Sequence, residues 1–109
     1  MEKKEFEKAT VFSLNEDIDY ANDGIVSKTV LNKSTGTITI FAFDKGQGLS
    51  EHTAPFDAMV SIVDGQAGII INGKKNILNP GESIIMPANI PHAVEAVEQF
   101  KMLLTMIKA

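Results

Sequence analysis

The dipeptide Asn72-Gly73, set between two short runs rich in isoleucine, constrains this chain more than any other feature. A two-residue type I′ turn needs positive φ at both central positions, and Asn-Gly meets that need best. Residues 67–71 and 74–78 are therefore expected to form an antiparallel hairpin. The same grammar recurs along the chain. Residues 25–31 and 37–43 flank the turn at residues 32–36, and residues 58–63 read as a strand ending in the turn Asp64-Gly65. Asn79-Pro80-Gly81 leads into residues 83–86, and Pro87 and Pro91 bracket a tight connection before residues 93–97. Residues 100–107 close the chain, with Phe100, Met102, Leu104 and Met106 on one face. No stretch holds a helical period over the length a helix needs. Short strands at turn intervals of about 8–12 residues predict an all-β antiparallel sandwich or barrel.

The first third is less regular. Residues 1–8 read as a flexible lead-in with Phe6 as its anchor, and Thr10, Val11 and Phe12 suggest a short strand over residues 9–14. Residues 15–24 are polar and acidic, as expected of a solvated loop. At 109 residues the chain has room for one domain with one core.

Composition removes several functions. A net charge of −4 without any lysine or arginine cluster gives no footprint for nucleic acid. The absence of cysteine excludes disulfides and thiolate metal sites. The charged start MEKKEFEK lacks the apolar centre of a signal peptide, and no apolar run approaches the roughly 20 residues that span a bilayer. A cytoplasmic protein without membrane contact is the expectation.

The chemistry that remains rests on two histidines. Strand alternation puts His92 on one face with Val94 and Ala96, while Glu95 points the other way, so His92 is expected to face the interior. His52 precedes the strand whose inner face carries Ala58, Val60 and Ile62, with Pro55 breaking the phase between them. The residues alone leave three roles open: two imidazoles around a metal, two polar groups satisfied within a core, or a polar end to a small-molecule pocket. Met59, Met86, Met102 and Met106 read as fillers of irregular core space rather than as copper ligands. Phe41, Phe43, Phe56 and Phe100 read as core or interface.

The two segments that carry the histidines resemble the paired motifs of the cupin family. The first motif, G-x5-H-x-H-x3,4-E-x6-G, is met at Gly46, His52 and Gly65. The second, G-x5-P-x-G-x2-H-x3-N, is met at Gly81, Pro87 and His92. The resemblance covers nearly the whole chain and implies a double-stranded β-helix, or jelly-roll barrel. In metal-binding cupins, two histidines and a glutamate of the first motif join the histidine of the second around one divalent ion. Here Ala54 stands at the second histidine and Ala58 at the glutamate, Asn89 replaces the second-motif glycine, and Ala96 stands where asparagine is frequent. Asparagine tolerates the positive φ that the glycine would supply.

What the resemblance implies is then a small organic molecule bound near His52, His92, Met86 and Met102. His52 and His92 are the candidate ligands for one divalent transition metal (Fe, Mn, Ni, Cu or Zn). Glu51 and Asp57 flank the ligand positions and should project to the other face, and Ser50 and Gln47 are weak donors. An oxygenase, isomerase or decarboxylase working through the same residues is the enzymatic alternative. A third reading is an interaction domain with a vestigial pocket. Apolar residues on both faces of a strand suggest cover by a second copy, hence a homodimer using residues 11–14 against the partner's sheet edge.

Overall fold

The computed structural model describes residues 5–109, and residues 1–4 of the expected lead-in lie outside them. The described residues form seven antiparallel strands and no helix: β1 (Ile25–Lys33), β2 (Gly36–Phe43), β3 (Gly48–His52), β4 (Asp57–Ile71), β5 (Lys74–Leu78), β6 (Ser83–Met86) and β7 (His92–Ile107). The β4–β5 hairpin turns at Asn72 (φ 51°) and Gly73 (φ 81°), as a type I′ turn requires.

Two long strands organise the rest. β4 and β7 pair with each other over nearly their whole lengths, from Asp57↔Ile107 to Ile71↔His92. The first half of β4 also takes β6, and its second half takes β5. The first half of β7 takes β3, and its second half takes β2 and then β1. The result is two antiparallel layers, β1-β2-β7-β4-β6 and β3-β7-β4-β5, sharing two bent strands. β1, β3, β5 and β6 each have one neighbour, so the sheet is not a closed barrel.

The bend is where the sequence misleads. Asp64-Gly65 reads as a turn between two strands, but β4 runs through it, with register shifts at Ile62/Asp64 and Gly65/Ala67. A bulge bends a strand without ending it, and residues 97–99 do the same for β7. Gly65 has φ 79°, and a Cβ there would overlap the carbonyl oxygen of Gln99. Only glycine combines that φ with that approach.

Between the layers lies the main core, built from Phe43, Val60, Ile62, Ala67, Ile69, Val94, Phe100 and Met102 among others. Phe43 and Phe100 are cross-strand partners whose rings stack at 4.6 Å. Phe41 packs against the same cluster.

A second cluster lies on the opposite face of β1, β2 and β7, where Val30, Ile40, Ala42 and Leu103 meet Ile18, Phe6, Leu14 and Tyr20. Apolar residues on both faces of these strands are thus covered, in part, by the chain's own residues 5–24. Residues 9–14, expected as a strand, are irregular and pair with none. Strand-forming residue types do not suffice to recruit them to a sheet edge, and Val11 is fully exposed. Residues 15–24 are a loop, but not merely a solvated one, since Ile18 is 1% exposed. Phe6 is the anchor its sequence suggests: it packs in this cluster, and its N–H donates to the Val30 carbonyl at 3.1 Å.

Candidate functional site

β3 lies on the start of β7 because Gly48 lets it, a Cβ there being in collision with the Val94 carbonyl oxygen. This seats His52 directly across from His92 in the register. The connections on either side are tied together. The Asn89 N–H donates to the Ala54 carbonyl at 2.7 Å, and the Ala88 N–H to Asp57 Oδ1 at 2.8 Å. Asn89 has φ 64°, so the asparagine meets the backbone demand of the glycine it replaces. Asp57 thus spends its carboxylate on the loop, away from the interior.

The two imidazoles meet edge to face, with centroids 4.4 Å apart and planes at 67°. His92 is 6% exposed, while His52 stands at the rim and is exposed. Each Nδ1 lies by a carbonyl two residues upstream, His52 by Ser50 O at 2.8 Å and His92 by Ile90 O at 3.2 Å. A carbonyl only accepts, so in the neutral rings the proton sits on Nδ1 and the lone pair on Nε2. Neither Nε2 has a hydrogen-bond partner among the described residues. No fully buried side-chain nitrogen or oxygen among them lacks one. The His92 Nε2 must therefore keep some accessible surface, and His92 and His52 both border one cavity.

That cavity, of about 60 Å³, is lined by Leu49, His52, Ala54, Ala58, Met86, His92, Met102, Leu104 and Met106. All four residues singled out from sequence, His52, His92, Met86 and Met102, come together there. Met106 joins them, on the face of β7 that alternation shares with Met102. Met59 does not, being on the other face of β4 and 40% exposed. Ala58 faces Met86 on β6 on one side and Met106 on β7 on the other. No carboxylate lines the cavity, and Glu95 is on the outside, paired with Lys75. A larger hollow of about 390 Å³ lies elsewhere, between residues 6–14 and the outer face at Val30, Leu31, Ile38 and Leu103.

A divalent centre of the three-histidine, one-glutamate kind does not fit these residues. The described residues hold no group of three or more histidine, cysteine, aspartate or glutamate side chains placed to bind an ion. Ala54 and Ala58 offer no donor, and nothing in the lining offsets the charge of a dication.

Comparison with known proteins agrees with this architecture. A family model described as "Cupin domain" matches residues 39–108. A conserved protein of unknown function from Streptococcus pyogenes has a crystal structure that is 39% identical. The match covers 100% of this chain and 96% of that one at a TM-score of 0.92. A Cupin 2 conserved barrel domain protein from Leptotrichia buccalis is 46% identical over 89% of this chain and 47% of its own, at a TM-score of 0.86. A cupin superfamily protein from Desulfitobacterium hafniense matches over 100% of both chains at 24% identity and a TM-score of 0.89. A search of the curated proteins found no match.

Proposed function

The chain belongs to the cupin family, and from that premise we propose that it binds a small organic molecule through the Nε2 atoms of His52 and His92. The carrying observation is that both Nδ1–H groups are spent on backbone carbonyls, which leaves two adjacent lone pairs unpartnered at one cavity. Pockets for drug-sized ligands run to about 300–1,000 Å³. A cavity of about 60 Å³ admits only a few heavy atoms, so it takes the head of a molecule whose remainder projects past the exposed His52. Two lone pairs ask for a donor, and a carboxylic acid or an acidic hydroxyl supplies one. Transfer of its proton to Nε2 leaves an imidazolium facing the anion, a charge-assisted hydrogen bond. The apolar remainder of the lining supplies burial without competing polar groups.

The test is a titration of uniformly labelled protein with formate, acetate, propionate and lactate, followed by the ring resonances of both histidines. Saturable shifts at His52 and His92 together are expected. Shifts that grow linearly, or that spread evenly over the surface, would contradict the reading.

A homodimer is the partner we propose. Its support is the unpaired segment at residues 9–14, with Val11 fully exposed and Phe12 half exposed beside the large outer hollow. A light-scattering mass equal to one chain at micromolar concentration would remove it.

A further inference from the structure

The hollow of about 390 Å³ on the outer face falls within the size range of small-molecule pockets, which the cavity at the histidines does not. Residues 6–14 arch over it. One foot of the arch is tied to β1, where the Phe6 N–H donates to the Val30 carbonyl and the Asn32 N–H donates to Glu5 Oε2 at 2.5 Å. At the other foot the Asp17 carboxylate accepts from the Ser13 N–H at 2.9 Å, and the Asp17 carbonyl accepts from the Lys28 ammonium. Between the feet, residues 8–12 make no hydrogen bond to a strand among the described residues. Ala9 turns the chain there at φ 57°, a left-handed conformation that an alanine adopts only at a cost. The arch is held at both ends and stands off the sheet in its middle.

We propose that this hollow takes the chain of an aliphatic carboxylate whose head is held by Lys33. Three observations carry it. The first is the lining, which is apolar at Phe6, Phe12, Leu14, Ile38 and Leu103, while Glu7 and Lys8 of the arch carry opposite charges. The second is continuity. Leu31 and Ile38 also border a second hollow of about 230 Å³, lined in part by Lys33, Thr35 and Thr105. Leu31, Ile38 and Thr105 are successive register partners across β1, β2 and β7, so the two hollows meet along one row of the sheet. The third is charge. Lys33 is the one charged residue in the lining of the second hollow, and the threonine hydroxyls beside it can donate. In a chain of net charge −4, this mouth presents an ammonium and hydroxyls without a carboxylate. An apolar channel that ends in such a group complements a chain that ends in an anion, through a charge-assisted hydrogen bond.

The hollow under the arch shares no lining residue with the cavity at the histidines, so the inference goes beyond the proposed function. Val11, the exposed residue offered to a second copy, is not part of that lining either.

The experiment titrates the full chain, labelled at its isoleucine, leucine and valine methyl groups, with hexanoate and octanoate below their micellar concentrations. Octanol is the control without a charge. Saturable shifts are expected at Val30, Leu31, Ile38 and Leu103, with Ile85, exposed elsewhere on the same face, unmoved. Affinity should rise about fourfold per methylene, which is about 0.8 kcal/mol for each one buried. Lys33→Gln, an exposed substitution that the fold should tolerate, should weaken octanoate about 2–5-fold, as loss of an exposed ion pair does, and leave octanol unchanged. Shifts that grow linearly or that move Ile85 equally, affinity indifferent to chain length, or octanoate binding unchanged in Lys33→Gln would each overturn the proposal. So would hollow methyl groups that shift with protein concentration alone, in step with a doubled light-scattering mass, since a second copy would then be the occupant. Octanoate shifts confined to the rings of His52 and His92 would overturn it while supporting the proposed function. Saturable shifts under the arch in a protein whose histidines ignore acetate would do the reverse.

Discussion

The two faces of β7 each bury a nitrogen-bearing side chain, and they treat it in opposite ways. On the outer face Lys101, 7% exposed, is fully used. Its ammonium donates to the backbone carbonyl of Asn15 and to Asn15 Oδ1, and lies 5.0 Å from the centre of the Tyr20 ring. Tyr20 in turn donates to Asp64, the register neighbour of Lys101. On the inner face His92 is as well buried, yet one of its two nitrogens has no protein partner. A satisfied buried group holds structure together, and an unsatisfied one beside a cavity is available for something else. The outer cluster is the clasp of residues 5–24, and the inner pair is the site.

This contrast can be broken at several points, taken from the largest effect downward. Phe100→Ala removes one of two stacked rings in the shared core and should cost about 3–5 kcal/mol by denaturant unfolding. A cost no greater than that of a clasp substitution would mean that the core does not outrank the clasp. Lys101→Met withdraws charged hydrogen bonds from Asn15 and should cost about 1.5–3 kcal/mol. Hydrogen exchange should then accelerate in residues 14–20 and leave residues 92–96 untouched. Exchange that rises equally in both would show that the two faces are one unit.

Alkaline pH tests the clasp separately. Burial first, and then the hydrogen bond to and charge of Asp64, push the Tyr20 phenol well above its ordinary value near 10. The unfolded chain therefore releases this proton first. The stabilisation is fully present below the ordinary phenol value and is lost as pH rises above it. Urea midpoints measured from pH 8 upward should fall more steeply in wild type than in Tyr20→Phe, and parallel curves would contradict the assignment. The smallest effect belongs to the site. His52→Ala should change stability by no more than about 0.5 kcal/mol, as an exposed position does. The same substitution should abolish the saturable ligand shifts at His92.

Much of this was legible in the chain. Asn72-Gly73 and the spacing of Gly46, His52, Gly65, Gly81, Pro87 and His92 carry strong local requirements, and those survive into the structure. His92 could be aimed by alternation because Val94 and Ala96 share its burial. The continuity of β4 and β7 through their bends could not be read, because a bulge and a turn use the same residues and differ only in what lies opposite. Gln99, which sits against Gly65, is 34 positions away in sequence. The covering of the outer face by residues 5–24 was hidden for a related reason. Ile18 and Tyr20 are isolated apolar residues in an acidic run, and nothing local says that they land on Ile40. Met106 was visible as a member of a face, but its place beside Met86 depends on Ala58 standing between two neighbouring strands.

The central claim is that both histidines offer an unprotonated Nε2 to the cavity. A long-range proton–nitrogen correlation spectrum of the ligand-free protein reads this directly, at about pH 8.5, above the ordinary imidazole range. The account predicts the Nδ1–H tautomer at both His52 and His92. The Nε2–H tautomer at either ring would contradict it, since that ring would then present a proton and not a lone pair to whatever enters.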